Sequence, residues 1–413
     1  MRKIFIISFI GIGFTIMISC EKKNTLNSDE FKVIKYDPLD VSKDNPMHVY
    51  VHYMPWFEDK NSSANGSWGI HWTMSTRNPE VVDENGKREI ASHFYPLIGP
   101  YASSDPDVIE YHLLLMKYAG IEGILIDWYG ASDINDYGSI KTNAEKMIEK
   151  ITETGLKFAI VYEDRTISAA VDQDPLTDRI EAAQNDMIYI EDQYFSKEDY
   201  IRIDGLPLFL VFGPEEFHAP DEWSEIISAY LEEPLFLILN GKSHETSPSS
   251  SGEYIWVDNS SLDVKYGTMG NFEYFMGGSY PGFLDYYAEG GWGEGFDWQI
   301  EYNSGETFTE TLQKSQDYGV DYLQLITWND FGEGTMIEPT DEFGYNMLSR
   351  LQDFACVTYT EYELEKIFNL YKLRKNLADD NQQQQLLNQS FYYFVSLQTE
   401  KAIAIVDSLD AKE

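Results

Sequence analysis

The chain has 413 residues, of which 43% are hydrophobic and 24% are charged, as is ordinary for a globular protein with room for one large domain or two average ones. Its formal net charge at pH 7 is −40. A surface this acidic argues against binding of nucleic acid or of anionic lipid, because contacts to phosphate groups require a basic surface.

The N-terminus has the features of a signal peptide. Arg2 and Lys3 form a short basic segment, and the apolar run IFIISFIGIGFTIMI follows it. This run is too short and wrongly flanked for a membrane-spanning helix. It ends at Ser19-Cys20, a small residue before a cysteine, which is similar to a bacterial lipobox. Since Cys356 is the only other cysteine, we interpret Cys20 as a lipid-attachment site rather than half of a disulfide.

The alternative is an ordinary cleaved secretion signal with an incidental cysteine. Residues after the junction are polar and lack periodicity, which is typical of a flexible tether. We therefore expect a signal peptide over residues 1–19, a flexible tether over 20–46, a main domain over 47–355, and C-terminal helices that close this domain over 356–413. The expected location is the cell envelope, with a lipid anchor in the outer membrane and the domain facing the periplasm or the cell surface.

Eight short apolar runs follow from residue 47 onward. They cover residues 47–57, 121–130, 156–164, 207–213, 234–241, 253–259, 270–278 and 321–330. Runs that are apolar almost throughout, rather than at alternate positions, are typical of strands that are buried on both faces.

Helix signals lie between these runs. Asp105 is a candidate N-cap, Pro106 follows it at the first helical position, and Gly120 ends the pattern. Similar segments cover residues 140–154, 220–232 and 306–318, and two helical stretches follow residue 356, with a turn expected at residues 382–385. Eight strands that alternate with helices predict an α/β fold, a (β/α)8 TIM barrel with extended loops on its catalytic face.

Functional residues of such barrels lie at the carboxyl ends of the strands. The polar and aromatic residues at or just after the ends of the apolar runs are His52, Tyr53, Trp56, Asp127, Trp128, Tyr129, Glu163, Asp164, Asn240, Asp258, Tyr280, Asp330 and Glu333. Carboxylates, amides and aromatic rings are typical of carbohydrate sites, in which two acids flank a glycosidic bond and rings stack on sugars. Aromatic residues reach 15% of the chain, although a large barrel core also uses them.

Other chemistries have little support in the sequence. There is no P-loop and no Gly-rich dinucleotide loop after the first strand, and GGWGEG at residues 290–295 lacks the required strand-to-helix setting. The seven His residues are scattered without metal-ligand spacing. We therefore expect neither a metal nor a cofactor.

The stretch LITWNDFGEGTMIEP, residues 325–339, begins as a buried strand and ends in carboxylates. Asp330 and Glu333 could face one bond, with one ionised as a base while the neighbouring charge keeps a proton on the other. The alternative is a loop whose acids cap a helix or serve solubility. Glu338 lies past the strand end and could pair with an arginine or a backbone amide.

This stretch resembles the Trp-Asn-Glu-x-x-Glu-Gly-Thr-x-Ile-Glu signature of glycoside hydrolase family 99, the endo-α-mannosidases and endo-α-mannanases. HYMPWF, WGIHW, LIDWYG and AIVYEDR agree with the family in the same order, and YPGF at residues 280–283 is a weaker match. The resemblance covers residues 47 to about 350. It implies a retaining, endo-acting glycoside hydrolase that cleaves α-mannosidic linkages in an α-mannan-type glycan.

The resemblance also assigns roles to individual residues. Glu333 matches the general acid/base, and Asp330 matches the base that deprotonates the 2-hydroxyl of the substrate, so that a 1,2-anhydro sugar forms instead of a glycosyl-enzyme. Glu163 becomes a sugar-binding carboxylate and Trp128 a stacking wall. Further substrate-binding residues are expected at Tyr53, Trp56, His71, Trp72, Asp127, Tyr129, Asn240, Tyr280 and Trp328.

Several of these residues have plainer interpretations. Trp56, Trp68 and Trp72 could pack between a loop and the barrel rim, and His71 could be a hydrogen-bonded loop histidine. Asp127 could orient its neighbours without reacting.

The sequence departs from the family at two positions. Asp330 replaces a glutamate and Gly332 replaces a histidine, and WNDFGE is closer there to family 71, the fungal α-1,3-glucanases. The alternatives are thus an α-1,3-glucanase-like endo-hydrolase, or a non-catalytic glycan-binding lipoprotein of the cell surface. The expected partner is an α-linked oligo- or polysaccharide, with no nucleic acid, membrane contact only through the lipid anchor, and a monomeric chain.

Overall fold

The computed structural model describes residues 32–411. The predicted signal peptide and Cys20 lie outside the described residues. The strands are β1 (His48–Tyr53), β2 (Gly123–Trp128), β3 (Lys157–Glu163), β4 (Arg202–Ile203), β5 (Leu206–Phe212), β6 (Leu235–Leu239), β7 (Gly252–Tyr254), β8 (Tyr274–Ser279) and β9 (Tyr322–Leu325).

The eight longer strands close into a parallel barrel. Their order is β3-β2-β1-β9-β8-β7-β6-β5, and β5 pairs back with β3 to close the sheet. The two-residue strand β4 pairs only with β5, in antiparallel orientation. Each of the eight apolar runs overlaps one barrel strand, so the predicted (β/α)8 TIM barrel is confirmed.

The helices that precede β7 in the chain are α1 (Ile70–Thr73), α2 (Pro106–Tyr118), α3 (Tyr137–Ile151), α4 (Thr166–Gln173), α5 (Arg179–Ile190), α6 (Pro220–Ile227) and α7 (Ser243–Thr246). The later helices are α8 (Leu262–Tyr266), α9 (Tyr287–Gly290), α10 (Glu306–Tyr318), α11 (Asn346–Ala355), α12 (Glu361–Asn376), α13 (Asn381–Val395) and α14 (Thr399–Asp410). Among residues 32–411, no helix is long and apolar enough to cross a membrane.

The boundaries of α2 follow the sequence signals. The Asp105 side chain accepts a hydrogen bond from the Asp107 N–H, Pro106 occupies the first turn, and Gly120 has a φ of +85° beyond the end of the helix. At α13 the prediction of a turn at residues 382–385 is wrong. Asp380 caps this helix through the N–H groups of Gln382 and Gln383, so the glutamine run forms the first helical turn.

The C-terminal helices pack against the helical layer of the barrel. The Arg374 guanidinium on α12 donates two hydrogen bonds of 3.0 Å to the Glu110 carboxylate on α2. Residues 32–46, predicted as part of a flexible tether, contact the folded domain instead, with Ile34 and Leu39 on α13 and Asn45 on α11. The Ile34 N–H donates to Gln389 Oε1 at 2.7 Å and the Leu39 N–H to the Val395 carbonyl at 3.0 Å, so these backbone groups are held by the folded domain.

Candidate active site

A cavity of about 360 Å³ opens at the carboxyl ends of the barrel strands. We call it the barrel cavity. It is lined by Trp56, His71, Met74, Tyr129, Arg165, Tyr287, Trp292, Phe296, Asp330, Gly332 and Glu333. Five of the expected site residues thus meet in one place, namely Trp56, His71, Tyr129, Asp330 and Glu333.

The turn after β9 brings the two acids to this cavity. The Asp330 N–H donates to Thr327 Oγ1 at 2.9 Å, and Asp330 Oδ1 accepts the Glu333 N–H at 2.9 Å. Gly334 then takes a φ of +70°, a conformation that glycine adopts without strain. The short spacing and the glycines therefore fold the segment back on itself, so that both carboxylates reach the same cavity.

A buried hydrogen-bond network supports this turn from beneath. Asn329, directly before Asp330, exchanges hydrogen bonds with the backbone of Met54 and donates to the Tyr101 hydroxyl at 3.1 Å. Tyr101 in turn donates to Glu338 Oε2 at 2.7 Å. Glu338 also lies 3.1 Å from His112 Nε2, and both of these side chains are fully buried. Glu338 is therefore a structural residue rather than a group of the cavity.

The two acids differ in proton affinity. Burial raises the pKa of Asp330 to about 6, although hydrogen bonds from the Glu333 and Gly332 backbone stabilise its charged form. Burial and the Asp330 charge raise the pKa of Glu333 to about 8, against a hydrogen bond of 3.0 Å from the Tyr287 hydroxyl. Near pH 7, Glu333 thus carries a proton while Asp330 is ionised.

A second pair of acids lies in the barrel mouth. The Arg165 guanidinium contacts Glu163 Oε2 at 2.6 Å and donates to the Tyr129 hydroxyl at 2.7 Å. Asp127 lies 3.9 Å from His52 Nε2, and neither of its oxygens has a hydrogen-bond partner among the described residues. Burial raises the pKa of Asp127 and of Glu163 and lowers the pKa of His52 to about 4. Asp127 is thus a buried acceptor that a ligand could satisfy.

Aromatic rings form one wall of the barrel cavity. Trp56 and His71 are stacked with their centroids 4.2 Å apart and their planes 5° apart. Asp136 Oδ2 lies 3.1 Å from His71 Nε2 and fixes the imidazole. Trp292 meets the edge of His71 at 5.8 Å and lies nearly parallel to Tyr287 at 6.2 Å. Such a wall suits the apolar face of a sugar ring.

Trp128 does not line the cavity, contrary to the prediction. Its side chain is fully buried and packs between Tyr189 and Tyr194, 5.7 and 6.3 Å away. The reason is the two-residue alternation of a strand: the preceding residue, Asp127, faces the barrel interior, so Trp128 faces the helices.

Three other predicted site residues are also buried away from the cavity. Tyr53 faces α2, where its hydroxyl lies 3.4 Å from His112 Nδ1, and the Trp328 ring meets the same histidine at 5.4 Å. Trp72 stacks on Phe57 at 4.0 Å and is fully buried. These rings hold the loops and the strand ends in place instead of contacting a ligand.

Asn240 and Tyr280 do not reach the barrel cavity either. Asn240 donates to Glu253 Oε2 at 2.7 Å and to Thr268 Oγ1 at 3.0 Å, which fixes the loop after β6. The Tyr280 N–H donates to Thr311 Oγ1 at 3.2 Å, and its side chain is buried. Both residues follow a strand, but the hydrogen bonds just described join them to neighbouring elements rather than to the cavity.

Sequence reasoning missed four prominent residues of the cavity. These are Arg165, Tyr287, Trp292 and Phe296. Arg165 stands in AIVYEDR directly after the β3 acids, and Trp292 stands in the Gly-rich segment GGWGEG, so both had a signal nearby. Tyr287 had none, because it lies well after the end of β8. Within residues 32–411, no group of three or more His, Cys, Asp or Glu side chains is placed to hold a metal ion.

Comparison with known proteins agrees with the resemblance in the sequence. Residues 44–235 match the model of glycosyl hydrolase family 99. A glycoprotein endo-alpha-1,2-mannosidase-like protein of Danio rerio is 25% identical over 195 residues, 44% of this chain and 41% of the relative. A glycoprotein endo-alpha-1,2-mannosidase of Xenopus laevis is 23% identical over 218 residues, 50% of this chain and 46% of the relative. These matches thus span less than half of the relatives' length.

Solved structures share the fold over most of the chain. The GH99 endo-alpha-mannosidase from Bacteroides thetaiotaomicron has a TM-score of 0.57 at 20% identity, covering 78% of this chain and 98% of the other. A structure described as a glycoside hydrolase-like protein has a TM-score of 0.54 at 14% identity, covering 79% and 98%. The chain is thus similar to proteins of family 99 over residues 44–235, and it shares the (β/α)8 barrel fold of these solved structures.

Proposed function

We propose that this chain is a retaining, endo-acting glycoside hydrolase that cleaves α-mannosidic linkages in an α-mannan-type glycan. One observation carries the proposal: Asp330 and Glu333 lie on one turn in the wall of the barrel cavity, joined by the hydrogen bond from the Glu333 N–H to Asp330 Oδ1. Burial and the Asp330 charge raise the pKa of Glu333, which suits it to hold a proton beside an ionised Asp330. The match to family 99 and the endo-mannosidase relatives support an α-mannoside as the substrate.

In this proposal Glu333 gives its proton to the leaving glycosidic oxygen, while ionised Asp330 takes the proton of the substrate 2-hydroxyl. The 2-oxygen then closes on the anomeric carbon and forms a 1,2-anhydro sugar. In the second step Glu333 accepts a proton from water, the water oxygen opens the ring, and Asp330 returns its proton to the 2-oxygen. Two inversions at the anomeric carbon give retention, and both acids recover their starting states.

The surrounding residues have roles in binding the sugar. The stacked Trp56 and His71 rings provide a flat wall, and Tyr129 lies beside them. Asp127 and Glu163 are acceptors for sugar hydroxyls, the first because neither of its oxygens accepts a hydrogen bond from residues 32–411. Tyr287 orients Glu333 through its hydroxyl.

A comparison of leaving groups tests the proposal. Glu333→Gln should reduce cleavage of α-mannan by about 100- to 10,000-fold, the usual contribution of general acid catalysis. It should retain much of its activity on α-mannosyl fluoride, because fluoride departs with little protonation. Asp330→Asn should be poor on both substrates, since the 2-hydroxyl must be activated whatever group leaves. Steady-state kinetics of both variants on both substrates would test these two roles.

Equal loss of glycan and fluoride cleavage in Glu333→Gln, with Asp330→Asn unaffected, would show that this assignment of the two roles is wrong. Full activity of both variants would show that these acids are not the catalytic pair. A binding protein that has lost turnover would bind the glycan and leave both substrates intact in its wild-type form.

The α-1,3-glucanase alternative rests on the two departures from the family signature. Gly332 lines the barrel cavity, and a Cβ there would lie 3.3 Å from Asp330 Oδ1 and 3.4 Å from Met74 Cε. The space beside the shorter acid is therefore partly filled by Met74. Parallel digestion of α-1,3-glucan and α-mannan, with the product size measured, separates the two substrates.

We also propose that Cys20 carries a lipid anchor at the cell envelope, on the strength of the Ser19-Cys20 junction after the apolar run. Cys20→Ala should move the protein from the membrane fraction to the supernatant. Cys356, which is free and exposed, provides the matched control, because Cys356→Ala should leave the fractionation unchanged. Retention of Cys20→Ala in membranes would contradict the anchor.

A further inference from the structure

A histidine and a carboxyl group face each other in the barrel mouth. His52 and Asp127 are the last residues but one of the neighbouring parallel strands β1 and β2. The residues that follow them, Tyr53 and Trp128, face α2 and α5, so the alternation of a strand turns His52 and Asp127 to the barrel interior. His52 Nε2 lies 3.9 Å from Asp127 Oδ1, and both side chains are only 1% exposed. We call these two residues the mouth pair.

The mouth pair is held by packing but keeps unused hydrogen-bonding atoms. The edge of the His52 ring meets Trp256 with centroids 4.7 Å apart and planes 70° apart. Within residues 32–411, neither His52 Nδ1 nor either Asp127 oxygen has a hydrogen-bond partner. Buried polar atoms without a partner are uncommon in folded proteins, and a catalytic role is one reason for which they are kept.

The surroundings of the mouth pair contain more carboxyl groups than cations. The charged and titratable groups around it are Tyr129, Glu163, Arg165, Tyr254, Asp330 and, beside Asp330, Glu333. Arg165 is the one guanidinium or ammonium group among them, and it already contacts Glu163 at 2.6 Å. Each further negative charge in this buried region therefore disfavours the others.

The protonation of Asp127 affects the expected base. Burial raises the pKa of Asp127 to about 7. Burial also lowers the pKa of His52 to about 4, although the Gln324 side chain and the Asp330 charge oppose this change. Burial and the Asp127 charge raise the pKa of Asp330. An ionised Asp127 thus favours a proton on Asp330, which must be ionised to act as a base.

The His52 imidazole provides a partner for a proton on Asp127. A separation of 3.9 Å exceeds a direct hydrogen bond, so the two groups interact through charge or through one bridging water. With the proton on Asp127, an imidazole nitrogen is its acceptor; with the proton on His52, the imidazolium faces the carboxylate. In both arrangements the pair holds one proton and has no net charge. One Asp127 oxygen remains an acceptor for a sugar hydroxyl.

We infer that His52 is a positioning residue of the reaction, which together with Asp127 holds one proton in the barrel mouth and thereby lets Asp330 ionise as the base. The inference rests on the proposed function and deepens it, because Asp330 is the base of that mechanism. The proton stays on the mouth pair throughout turnover, so no bond to the substrate forms or breaks at His52.

The pH profile of kcat/KM tests this role, because its acidic limb reports the ionisation of the base in the free enzyme. His52→Phe keeps an aromatic ring against Trp256 and removes both nitrogens. Asp127 then loses its proton more readily and disfavours the charge of Asp330. We expect the acidic limb to move to higher pH by roughly one pH unit. His52→Gln, whose amide offers the carboxyl group a partner, should recover part of this change.

Two comparisons separate this role from a structural one. His48→Phe makes the same change on the same strand, at a histidine whose Nδ1 lies 2.6 Å from Glu122 at the opposite end of the barrel, and it should leave the acidic limb unchanged. In an Asp127→Asn background the amide is neutral at every pH, so His52→Phe should cause no further movement of the limb. A limb that His52→Phe leaves in place, moves to lower pH or moves equally in both backgrounds would overturn the inference.

An NMR titration of isotope-labelled histidine tests the mouth pair without turnover and without the His52→Phe variant. The His52 signals are assigned by their loss in His52→Gln. In the wild-type protein they should shift as Asp127 titrates, near pH 7, and Asp127→Asn should abolish this step. Wild-type His52 signals without the step would overturn the pair even in an active enzyme. A protein that shows the step but leaves α-mannan intact contradicts the proposed function and supports the pair.

Discussion

The Tyr287 hydroxyl donates a hydrogen bond to Glu333 Oε1 at 3.0 Å, and the same ring lies 6.2 Å from Trp292 at an angle of 22°. Tyr287 therefore connects the proposed proton donor to the aromatic wall. Its hydrogen bond stabilises the Glu333 carboxylate and opposes burial and the Asp330 charge, which raise the pKa of Glu333 to about 8.

Replacement of Tyr287 by Phe removes this opposing effect. The pKa of Glu333 should rise further, so the basic limb of the pH profile of kcat/KM should move to higher pH, because the acid must hold its proton to act. The rate at the optimum should fall about fivefold, the effect of one hydrogen bond near 1 kcal/mol. Tyr286→Phe is the matched control, because the Tyr286 hydroxyl contacts Arg77 instead. A basic limb that moved to lower pH would contradict this account of the pKa.

The network beneath the catalytic turn gives a prediction about positioning. Tyr101→Phe removes the hydrogen bond to Glu338 and the one from Asn329, and leaves buried polar groups unpaired. We expect a loss of about 1 to 3 kcal/mol in the free energy of unfolding and a lower kcat, because Asn329 adjoins Asp330. Thermal unfolding and steady-state kinetics of the same preparation measure both effects.

Tyr118→Phe is the control that distinguishes an effect on the position of Asp330 from a general loss of stability. Tyr118 is equally buried, and its hydroxyl bonds the Phe394 carbonyl and Thr399 in the C-terminal helices. It should lose a comparable amount of stability without a change in kcat. If Tyr101→Phe also kept its full kcat, the network would serve folding alone.

The barrel could be predicted from the sequence because its strands are buried on both faces and therefore appear as apolar runs. The same property limited the prediction of the site. Asp127 and Trp128 end one run together, but the alternation of a strand sends the acid to the barrel interior and the indole to α5. The sequence does not show which of the two alternating positions faces the barrel interior. A list of strand-end residues therefore contains both Asp127 and Trp128.

The remaining site residues lie in loops, and loop sequences have no periodicity from which their contacts could be predicted. Tyr287 reaches Glu333 because its own loop is tied to the catalytic turn, where the Tyr286 N–H donates to the Gly332 carbonyl at 2.8 Å and the Leu284 N–H to the Glu333 carbonyl at 2.9 Å. These are contacts between segments more than 40 residues apart. Asp330 and Glu333 could be predicted because they share one short stretch with a recognisable pattern.

The raised pKa of Glu333 also has a consequence for stability. Burial holds this pKa at about 8, against an ordinary value of 4.5. The folded state therefore keeps a proton that the unfolded state releases, and the free energy of unfolding falls as pH rises from 4.5 to about 8. Above about pH 8 the ionised carboxylate destabilises the folded state by an amount that no longer changes with pH. Below pH 4.5 the group is protonated in both states and causes no such destabilisation.

Glu333→Gln removes this cost, since the amide stays neutral at every pH. At pH 4 the variant and the wild-type protein should unfold at the same temperature. At pH 9 the variant should be more stable by on the order of 1 kcal/mol, because Glu333 is half-buried and solvent screens part of the effect, and its Tm should be higher by about 1 to 3 °C. Glu294→Gln, at an exposed loop position, is the control for the loss of one carboxylate outside the cavity. A variant that was less stable than the wild type at pH 9 would show that the Glu333 carboxylate is stabilised in the cavity, which would contradict its assignment as the protonated acid.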